Sequence, residues 1–381
     1  MAKSTLKSQF SSNFRPSILA LEDGTIFEGL GFGASGVACG ELVFNTSLAG
    51  YQEILTDPSY AGQVITMTAP EIGNYGINSD DMESRQIFAR GLVIRHLSTR
   101  YSNWRAEESL DDFLKRHKIT AIAEVDTRAI TRHIREKGAL RCAIYSTDEA
   151  LDTKEKLEKA KHSALEEARK FPSMEGMDLT AEVTCAKKYK FSEGKKHVAV
   201  LDFGIKQNIL RELASHDLEL TVYPAQAKAA DILADKPQGI FLSNGPGDPA
   251  ACKGVLKELP ELISSGLPIF GICLGHQLLS IALGASTYKL KFGHRGGNQP
   301  VKNLQTGKVE VTCQNHGFAV DANSMPEDLE ITHLSLNDDS VEGFKHKTKP
   351  IFAVQYHPES CPGPHDSKYL FEDFLSLVES H

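Results

Sequence analysis

Two glycines flank a cysteine after a short apolar run, a pattern that can place a nucleophile on a sharp turn. Gly271, Cys273 and Gly275 form a Gly-x-Cys-x-Gly sequence, and residues 268–272 have the composition of a buried strand. From Leu274 onwards the apolar residues have helical spacing, so the cysteine falls where a strand becomes a helix. Small neighbours permit the turn, and the positive end of the helix favours thiolate over thiol. The stretch predicts a cysteine nucleophile, with a small buried apolar residue as the alternative.

A cysteine nucleophile needs a base, and one of the 14 histidines is distinguished by its context. His357 directly follows the strand predicted at 351–355, and Glu359 lies two residues further on. Residues at this spacing lie on the same side of an extended chain, so the carboxylate can orient the imidazole. His276, on the predicted elbow helix, and His316, in a predicted turn, remain alternative bases.

Two backbone donors for a developing oxyanion are predicted beside the cysteine. The N–H of Leu274, which follows the nucleophile, is one, and an N–H of Gly245 or Gly247 in a glycine-rich turn is the other. Glycine lets the backbone approach a tetrahedral oxygen closely, although the segment also fits a plain turn. Together these residues predict acyl transfer, in which Cys273 attacks an amide carbonyl, His357 protonates the leaving nitrogen and water releases the acyl group.

The elements that must position these groups belong to an alternating pattern that begins at residue 197. Strands are predicted at 198–202, 218–223, 239–242, 268–272 and 351–355. Helices are predicted at 206–215, 229–235, 254–264 and from Cys273 to Leu283. This alternation indicates an α/β fold with a central, mostly parallel sheet flanked by helices. Active sites on such sheets lie at the carboxyl ends of the strands, where all the candidate groups of this half fall.

The first half of the chain is predicted to form a second α/β domain that is rich in β structure. Residues 17–68 have strand patterns, with a hairpin turn at Asp23-Gly24. Helices are predicted at 110–117, 127–137 and 147–170. Residues 31–36 match the spacing of a dinucleotide fingerprint, but a strand pattern follows instead of a helix, so glycines in a turn are the better interpretation.

The predicted domain organisation follows changes in composition. A flexible tail is predicted at 1–16, a first domain at 17–190, a linker at 191–196 and a second domain at 197–381. The tail is basic and Ser-rich and faintly resembles a transit peptide, but a frayed terminus is the preferred interpretation.

Composition and charge argue against several classes of function. The net charge is −8, so the lysine-rich linker region is interpreted as solvated chain rather than a nucleic-acid surface. No apolar run is long enough to span a membrane. The seven cysteines include no C-x-x-C pair, which argues against a disulfide framework or a zinc site. We therefore expect a cytoplasmic protein with no metal, no nucleic-acid partner and no membrane partner.

Taken together, the motifs of the second half resemble the class I glutamine amidotransferases. The matching segments are 243–249, 271–277 and 357–359. The chain is also similar to the carbamoyl-phosphate synthase small chain family, over nearly its whole length from about residue 17. The segments that carry this second likeness are 45–60, 73–76, 126–128, 292–298 and 362–366.

The resemblance implies a glutaminase subunit that hydrolyses L-glutamine to glutamate and ammonia through a glutamyl thioester on Cys273, with His357 and Glu359 completing a triad. It implies that the ammonia passes through a tunnel to a carbamoyl-phosphate synthase large subunit, which serves arginine and pyrimidine synthesis. ATP and Mg (or K) are implied on that partner, and no cofactor on this chain. A heterodimer is implied, with higher oligomers left open.

The resemblance also implies eight contacts to glutamine, namely Ser59, Gly245, Gly247, Leu274, Gln277, Asn315, Gly317 and Phe318. It makes Gly245 and Leu274 the oxyanion donors, and it disfavours His316 as a base because residues 315–318 become a substrate loop. One departure is Cys361, which follows Ser360 where the family more often has Ala-Ser. The alternatives are a guanylate- or anthranilate-type amidotransferase subunit, an inactive regulatory scaffold and a cysteine peptidase.

Overall fold

The computed structural model describes residues 14–381, which group into two compact units. The first unit comprises the chain up to Gln52, Gly62–Asp81 and Ala89–Ser173, and the second comprises Glu53–Ala61, Met82–Phe88 and Met174–His381. Residues 1–13 of the predicted tail lie outside the described residues. Within the part of the chain that is described, no helix is both long and apolar enough to cross a membrane.

The first unit is built on a closed β-barrel. The strands of this half of the chain are β1 (Arg15–Leu21), β2 (Ile26–Gly33), β3 (Gly36–Asn45), β4 (Gln63–Met67), β5 (Glu71–Ile72), β6 (Gly91–Val93), β7 (His96–Leu97), β8 (Thr120–Ala123) and β9 (Leu140–Ser146). The barrel has the strand order β1-β2-β8-β6-β4-β3-β9, while β5 and β7 form a separate pair. The prediction of a β-rich first half, including a hairpin between β1 and β2, is confirmed.

Helices accompany the barrel strands. They are α1 (Tyr51–Thr56), of which Glu53–Thr56 belong to the second unit, α2 (Leu110–Arg116), α3 (Thr127–Lys137) and α4 (Lys154–Lys170). The helix predicted at 147–170 begins only at Lys154, because the side chain of Thr153 accepts a hydrogen bond from the N–H of Lys156 and caps the helix there. Small residues of α4, Ala160 and Ala164, pack against Ile18, which explains how so charged a helix buries one face.

The second unit contains a ten-stranded sheet. Its strands are β10 (Tyr189–Ser192), β11 (Lys196–Asp202), β12 (Leu218–Pro224), β13 (Gly239–Leu242), β14 (Ile269–Ile272), β15 (Thr287–Asn303), β16 (Val309–Val320), β17 (Leu329–Ser335), β18 (Val341–His346) and β19 (Ile351–Val354). Its helices are α5 (Thr180–Val183), α6 (Gln207–Ser215), α7 (Ala229–Ala234), α8 (Lys253–Ser264), α9 (Leu274–Ala282) and α10 (Tyr369–Ser380). Three short 3-10 turns lie at Pro58–Tyr60, Pro249–Ala251 and Ala322–Ser324.

The sheet has a parallel half and an antiparallel half. Its order is β10-β12-β11-β13-β14-β19-β18-β16-β15-β17, and neighbours from β12 to β19 are parallel. From β18 onwards the pairs are antiparallel, and β17 pairs with both β15 and β18. The predicted α/β fold is confirmed. The segment predicted as a linker, 191–196, spans the end of β10, the three residues that follow it and the first residue of β11. The domain boundaries drawn from the sequence stay predictions.

Successive residues of the parallel strands pack into two different cores. Val198 and Val200 of β11 join one core with α6 and α10, while Ala199 and Leu201 join another with α7, α8 and α9. The alternation follows from the pleat of a strand, and helices cover both faces. Each fully buried aliphatic side chain contributes about 1.5–3 kcal/mol, so the strand ends that carry the candidate site rest on a firmly packed base.

Candidate active site

Cys273 is the single residue between β14 and α9. Its backbone has φ +53° and ψ −103°, a conformation that a non-glycine residue keeps only when its surroundings enforce it. The N–H of Cys273 donates to the carbonyl oxygen of Val354 at 2.9 Å, which ties the junction to β19. A strained, buried cysteine at a strand-to-helix turn is the geometry of a nucleophile elbow.

The two glycines of the elbow are required by close backbone approach. A Cβ atom on Gly275 would lie 2.3 Å from the carbonyl oxygen of Leu242, and one on Gly271 would lie 2.9 Å from the backbone of Gly275. Neither contact could be relieved by moving the end of a flexible side chain. The N–H of Gly275 also donates to the carbonyl oxygen of Ser243 at 3.0 Å, which fastens the helix to the glycine-rich turn after β13.

His357 and Glu359 form a buried hydrogen-bonded pair near the cysteine. His357 Nδ1 donates to Glu359 Oε1 at 2.8 Å, and both side chains are almost fully buried. His357 Nε2 has no hydrogen-bond partner among the described residues. Burial lowers the pKa of His357, but Glu359 and the nearby Cys273 outweigh it and raise the pKa well above its usual value. The structure thus brings together the three residues predicted for catalysis, with an imidazole that carries positive charge.

A buried lysine, which was not among the residues predicted for the site, lies beside Glu359. Lys206 Nζ donates to Glu359 Oε1 at 2.8 Å and to the carbonyl oxygen of Ser360 at 2.7 Å. Burial raises the pKa of Glu359, but Lys206 and His357 lower it to about 2. Burial likewise lowers the pKa of Lys206, but Glu359 and Glu83 raise it well above its usual value. Glu359 is therefore an anion held between two cations, and the only sequence signal for Lys206 was its place shortly after a strand end.

The two candidate oxyanion glycines have different surroundings. A Cβ on Gly245 would lie 2.8 Å from a side-chain carbon of Leu274, so Gly245 packs directly against the residue after the nucleophile. Gly247 has φ +96° and pairs with Asp178 instead. Leu274 is the first residue of α9, so its N–H has no acceptor within the helix. The close packing of Gly245 against Leu274 favours their two amides, rather than that of Gly247, as the predicted oxyanion donors.

The predicted glutamine contacts Ser59 and Asn315 are joined by buried hydrogen bonds within the second unit. Asn315 Nδ2 donates to Asp57 Oδ2 at 3.0 Å, and the N–H of Ser59 donates to Asp57 Oδ1 at 2.8 Å. Asn244 Nδ2 donates to Ser59 Oγ at 2.8 Å. Asp57 and Asn244 therefore fix the positions of two side chains predicted to touch the substrate, a role that no sequence pattern indicated for either residue.

Gln277 connects the elbow helix to the strand that carries the remaining predicted contacts. Its Nε2 donates to the carbonyl oxygen of Phe318 and to Gln355 Oε1, each at 2.9 Å. Cys273 Sγ lies 3.7 Å from the carbonyl oxygen of Asn315. Asn315 Oδ1 is buried and has no partner within residues 14–381, so it is an acceptor that a bound ligand can use.

The other histidines weighed as bases are neutral and have different neighbours. His276 is buried against the ring of Phe344, with 5.3 Å between ring centroids, and burial lowers its pKa to about 3. His316, which precedes Gly317 on β16, is also buried, and burial lowers its pKa well below the usual value. Burial also raises the pKa of Cys361 to about 12, which disfavours its thiolate form.

Comparisons with known proteins match both halves of the chain. The sequence-family model of class I glutamine amidotransferases matches residues 199–377. The family model of the carbamoyl-phosphate synthase small chain, CPSase domain, matches residues 19–144. The carbamoyl phosphate synthase small chain of Syntrophotalea carbinolica is 50% identical over 380 residues, covering 96% of this chain and 98% of that relative. This chain belongs to the carbamoyl phosphate synthase small chain family. That membership confirms the resemblance found in its motifs.

Further relatives of the carbamoyl phosphate synthase small chain family are similarly close. The protein of that name from Photorhabdus laumondii is 50% identical over 384 residues, covering 96% of this chain and 97% of the relative. The one from Escherichia coli K12 is 49% identical over 387 residues, covering 96% and 98%. The prediction that the chain is an enzyme subunit is thereby confirmed. All the predicted site residues except Ser59 lie within the region that matches the amidotransferase model.

Proposed function

We propose that this chain hydrolyses L-glutamine to glutamate and ammonia, and that a carbamoyl-phosphate synthase large subunit uses the ammonia to make carbamoyl phosphate. The observation that carries the proposal is the buried pair of His357 and Glu359, joined at 2.8 Å, beside a cysteine on a strained elbow. Membership of the carbamoyl phosphate synthase small chain family supports the choice of glutamine as the amide. The product serves arginine and pyrimidine synthesis in the cytoplasm.

Acylation begins when the thiolate of Cys273 attacks the side-chain amide carbon of glutamine. As the C–S bond forms, the carbonyl oxygen becomes an oxyanion that accepts hydrogen bonds from the N–H groups of Leu274 and Gly245. His357 Nε2 then gives its proton to the amide nitrogen, the C–N bond breaks, and ammonia leaves. The product on the enzyme is a γ-glutamyl thioester, and His357 is neutral.

Deacylation reverses the role of His357. Its neutral Nε2 takes a proton from water as the oxygen attacks the thioester carbon, and the second oxyanion forms in the same place. Breaking the C–S bond releases glutamate and restores the pair of thiolate and imidazolium. Throughout, the Nδ1–H of His357 stays hydrogen-bonded to Glu359, and Lys206 keeps that carboxylate anionic.

The α-ammonium group of glutamine requires hydrogen-bond acceptors, and its α-carboxylate requires donors. Asn315 Oδ1, a buried acceptor without a partner within the described chain, suits the ammonium group. Ser59, whose Oγ accepts from Asn244 Nδ2, is assigned to the carboxylate. Gln277, Gly317 and the backbone of Phe318 complete the set. The remaining predicted contacts are Gly247 and the two residues whose N–H groups hold the oxyanion, Gly245 and Leu274.

The second half of the reaction belongs to the partner in this proposal. Carbamoyl phosphate formation consumes ATP, and the sequence of this chain has no P-loop. We assign ATP and Mg (or K) to the large subunit, a heterodimer to the working enzyme, and a tunnel to the transfer of ammonia.

Replacing the nucleophile separates the two half-reactions. In the reconstituted complex, Cys273→Ala should abolish carbamoyl phosphate synthesis from glutamine while synthesis from free ammonia continues. Cys361→Ala is the matched control, because its thiol is half-buried and stays protonated, and it should retain both activities. Release of glutamate by Cys273→Ala at the wild-type rate would contradict the proposal.

A further inference from the structure

A second group of ionisable side chains lies in the antiparallel half of the sheet, and the proposed mechanism uses none of them. His294 on β15, His316 on β16 and Glu342 on β18 are all buried. His294 and His316 are directly paired across the two antiparallel strands. One ligand atom from each of the three side chains lies within 4.8 Å of the other two.

The hydrogen bonds of the two imidazoles fix where their protons lie. His294 Nε2 donates to Asp338 Oδ2 at 2.9 Å, and His316 Nδ1 donates to the carbonyl oxygen of Phe318 at 2.8 Å. Because carboxylate and carbonyl oxygens only accept, each of these ring nitrogens carries a hydrogen. The opposite nitrogens, His294 Nδ1 and His316 Nε2, face Glu342. A histidine that ligates a metal is usually oriented in this way, with its outer N–H donated to a carboxylate or carbonyl.

The nitrogen–oxygen distances inside the cluster are too long for hydrogen bonds. They are close to the separation between two ligand atoms of one metal ion. His294 Nδ1 and His316 Nε2 lie 3.6 and 3.9 Å from Glu342 Oε1, which exceeds hydrogen-bond range. Two ligands of a tetrahedral zinc ion, each bonded at about 2.0–2.1 Å, are separated by roughly 3.3 Å. His294 Nδ1 is buried and has no hydrogen-bond partner among residues 14–381.

A fourth atom faces the same point. Gln314 Nε2 donates to Glu342 Oε2 at 3.1 Å and to Thr312 Oγ1 at 3.2 Å, which orients the amide. Gln314 Oε1 consequently lies 3.2 Å from His316 Nε2. Since the hydrogen of this neutral ring is on Nδ1, the oxygen and Nε2 present lone pairs to each other. A cation between them would turn this unfavourable contact into shared coordination.

We propose that His294, His316 and Glu342 bind a divalent transition-metal ion, for which Zn²⁺ is the best match. Two imidazoles and a carboxylate are a donor set that zinc accepts, whereas Mg²⁺ and Ca²⁺ prefer oxygen ligands. Gln314 Oε1 faces the position of a fourth ligand. The ligands come from three different strands, so no sequence motif marks them, and a metal was not expected from the sequence.

The metal competes with one other way of balancing the buried charge. His294 Nδ1 lies 3.6 Å from Glu342 Oε1, so a proton on this nitrogen is the alternative counter-charge for the buried carboxylate. Metal binding would displace that proton. The ion would also fix the segment of β16 in which His316 lies between Asn315 and Gly317, two of the predicted glutamine contacts.

Direct metal binding by the full-length chain tests the proposal. The protein is stripped with a chelator, titrated with Zn²⁺ against a competing chelating dye, and its bound zinc is counted by mass spectrometry. We expect one tight site in the wild type. His294→Asn and Glu342→Gln should weaken it by more than about 100-fold, and Asp338→Asn, which removes only the partner of a ligand, by about 10- to 100-fold. His346→Asn and Glu330→Gln, on β18 and β17 outside the cluster, should leave the affinity unchanged.

Two further measurements keep the test decisive if a ligand variant folds poorly. Zn²⁺ should raise the midpoint of thermal unfolding of the wild type and of Glu330→Gln, because an ion bound only by the folded state stabilises it. Co²⁺ in the site should give the visible absorption of a tetrahedral ion with nitrogen and oxygen ligands. The proposal is overturned if the wild type binds no stoichiometric zinc, if folded ligand variants bind it as tightly, or if Co²⁺ shows a thiolate charge-transfer band instead.

Discussion

Lys206 is buried against Glu359, and replacing it with methionine tests whether this ion pair stabilises the fold around the triad. The two side chains are 3% and 0% exposed, so solvent screens their interaction very little. Methionine keeps a similar length but removes the charge and both hydrogen bonds. Breaking a buried pair by removing one partner costs about 3–5 kcal/mol. Because His357 still donates to Glu359, we expect the lower end, about 3 kcal/mol.

Lys228→Met is the matched control. Lys228 pairs with Glu258 at 2.9 Å, almost the same distance as the buried pair, but its side chain is 63% exposed. Exposed pairs contribute about 0–1 kcal/mol. In a unit of this size 1 kcal/mol corresponds to about 2–4 °C in the midpoint of thermal unfolding, so Lys206→Met should lower the midpoint by about 6–12 °C.

The pH dependence of this loss has a definite sign. The pKa of Glu359 is lowered from 4.5 to about 2, so its stabilisation is present above 4.5 and is lost as the pH falls through 2. Without Lys206 the carboxyl can take up a proton at higher pH, and the difference between variant and wild type should narrow as the pH falls from 7 towards 4. Circular dichroism at several pH values measures both effects. Equal, small shifts for Lys206→Met and Lys228→Met would refute the reasoning.

Two other substitutions have equally specific expectations. Burial raises the pKa of Glu83 from 4.5 to about 7, so its contribution to stability is complete below pH 4.5 and is lost as the pH rises through 7. In urea unfolding, the free energy of unfolding of Glu83→Gln should therefore rise by about 3 kcal/mol relative to the wild type between pH 4 and pH 8. A difference that does not change with pH would contradict this. Gly275→Ala places a carbon 2.3 Å from the carbonyl oxygen of Leu242 and should lower the free energy of unfolding by about 3 kcal/mol. The control, Gly254→Ala, has open space around the new carbon and should leave the stability unchanged or raise it. Equal urea midpoints for the two variants would contradict the close approach at Gly275.

The parallel half of the second unit was predictable because its signals are local. Each strand is a short apolar run followed by an amphipathic helix, and the same pattern shows where each strand ends. The antiparallel half was not identified. Its longest strand, β15, contains glycines and lysines, and its pairing with β16 shifts register twice, between Lys289 and His294 and between Gly296 and Gln299. Such irregularities break the two-residue alternation on which strand prediction depends.

The candidate site shows the same division between local and distant signals. The elbow around Cys273 is one continuous segment, and His357 and Glu359 are two residues apart, so a local sequence pattern indicated each of them. Lys206 lies 153 residues from Glu359, and Asp57 lies 258 residues from Asn315. Contacts over such separations leave no periodicity or motif in a single sequence, and only the fold identifies them.

The glutamyl thioester itself can be trapped and located. The complex of this chain with its large subunit is mixed with isotopically labelled L-glutamine, quenched in acid during turnover, digested and mapped by mass spectrometry. The label should be on the peptide that contains Cys273, at less than one equivalent, and hydroxylamine should remove it. Labelled glutamate formed with no label on Cys273, or with label on another residue such as Cys313 or Cys361, would contradict the assignment of Cys273 as the nucleophile.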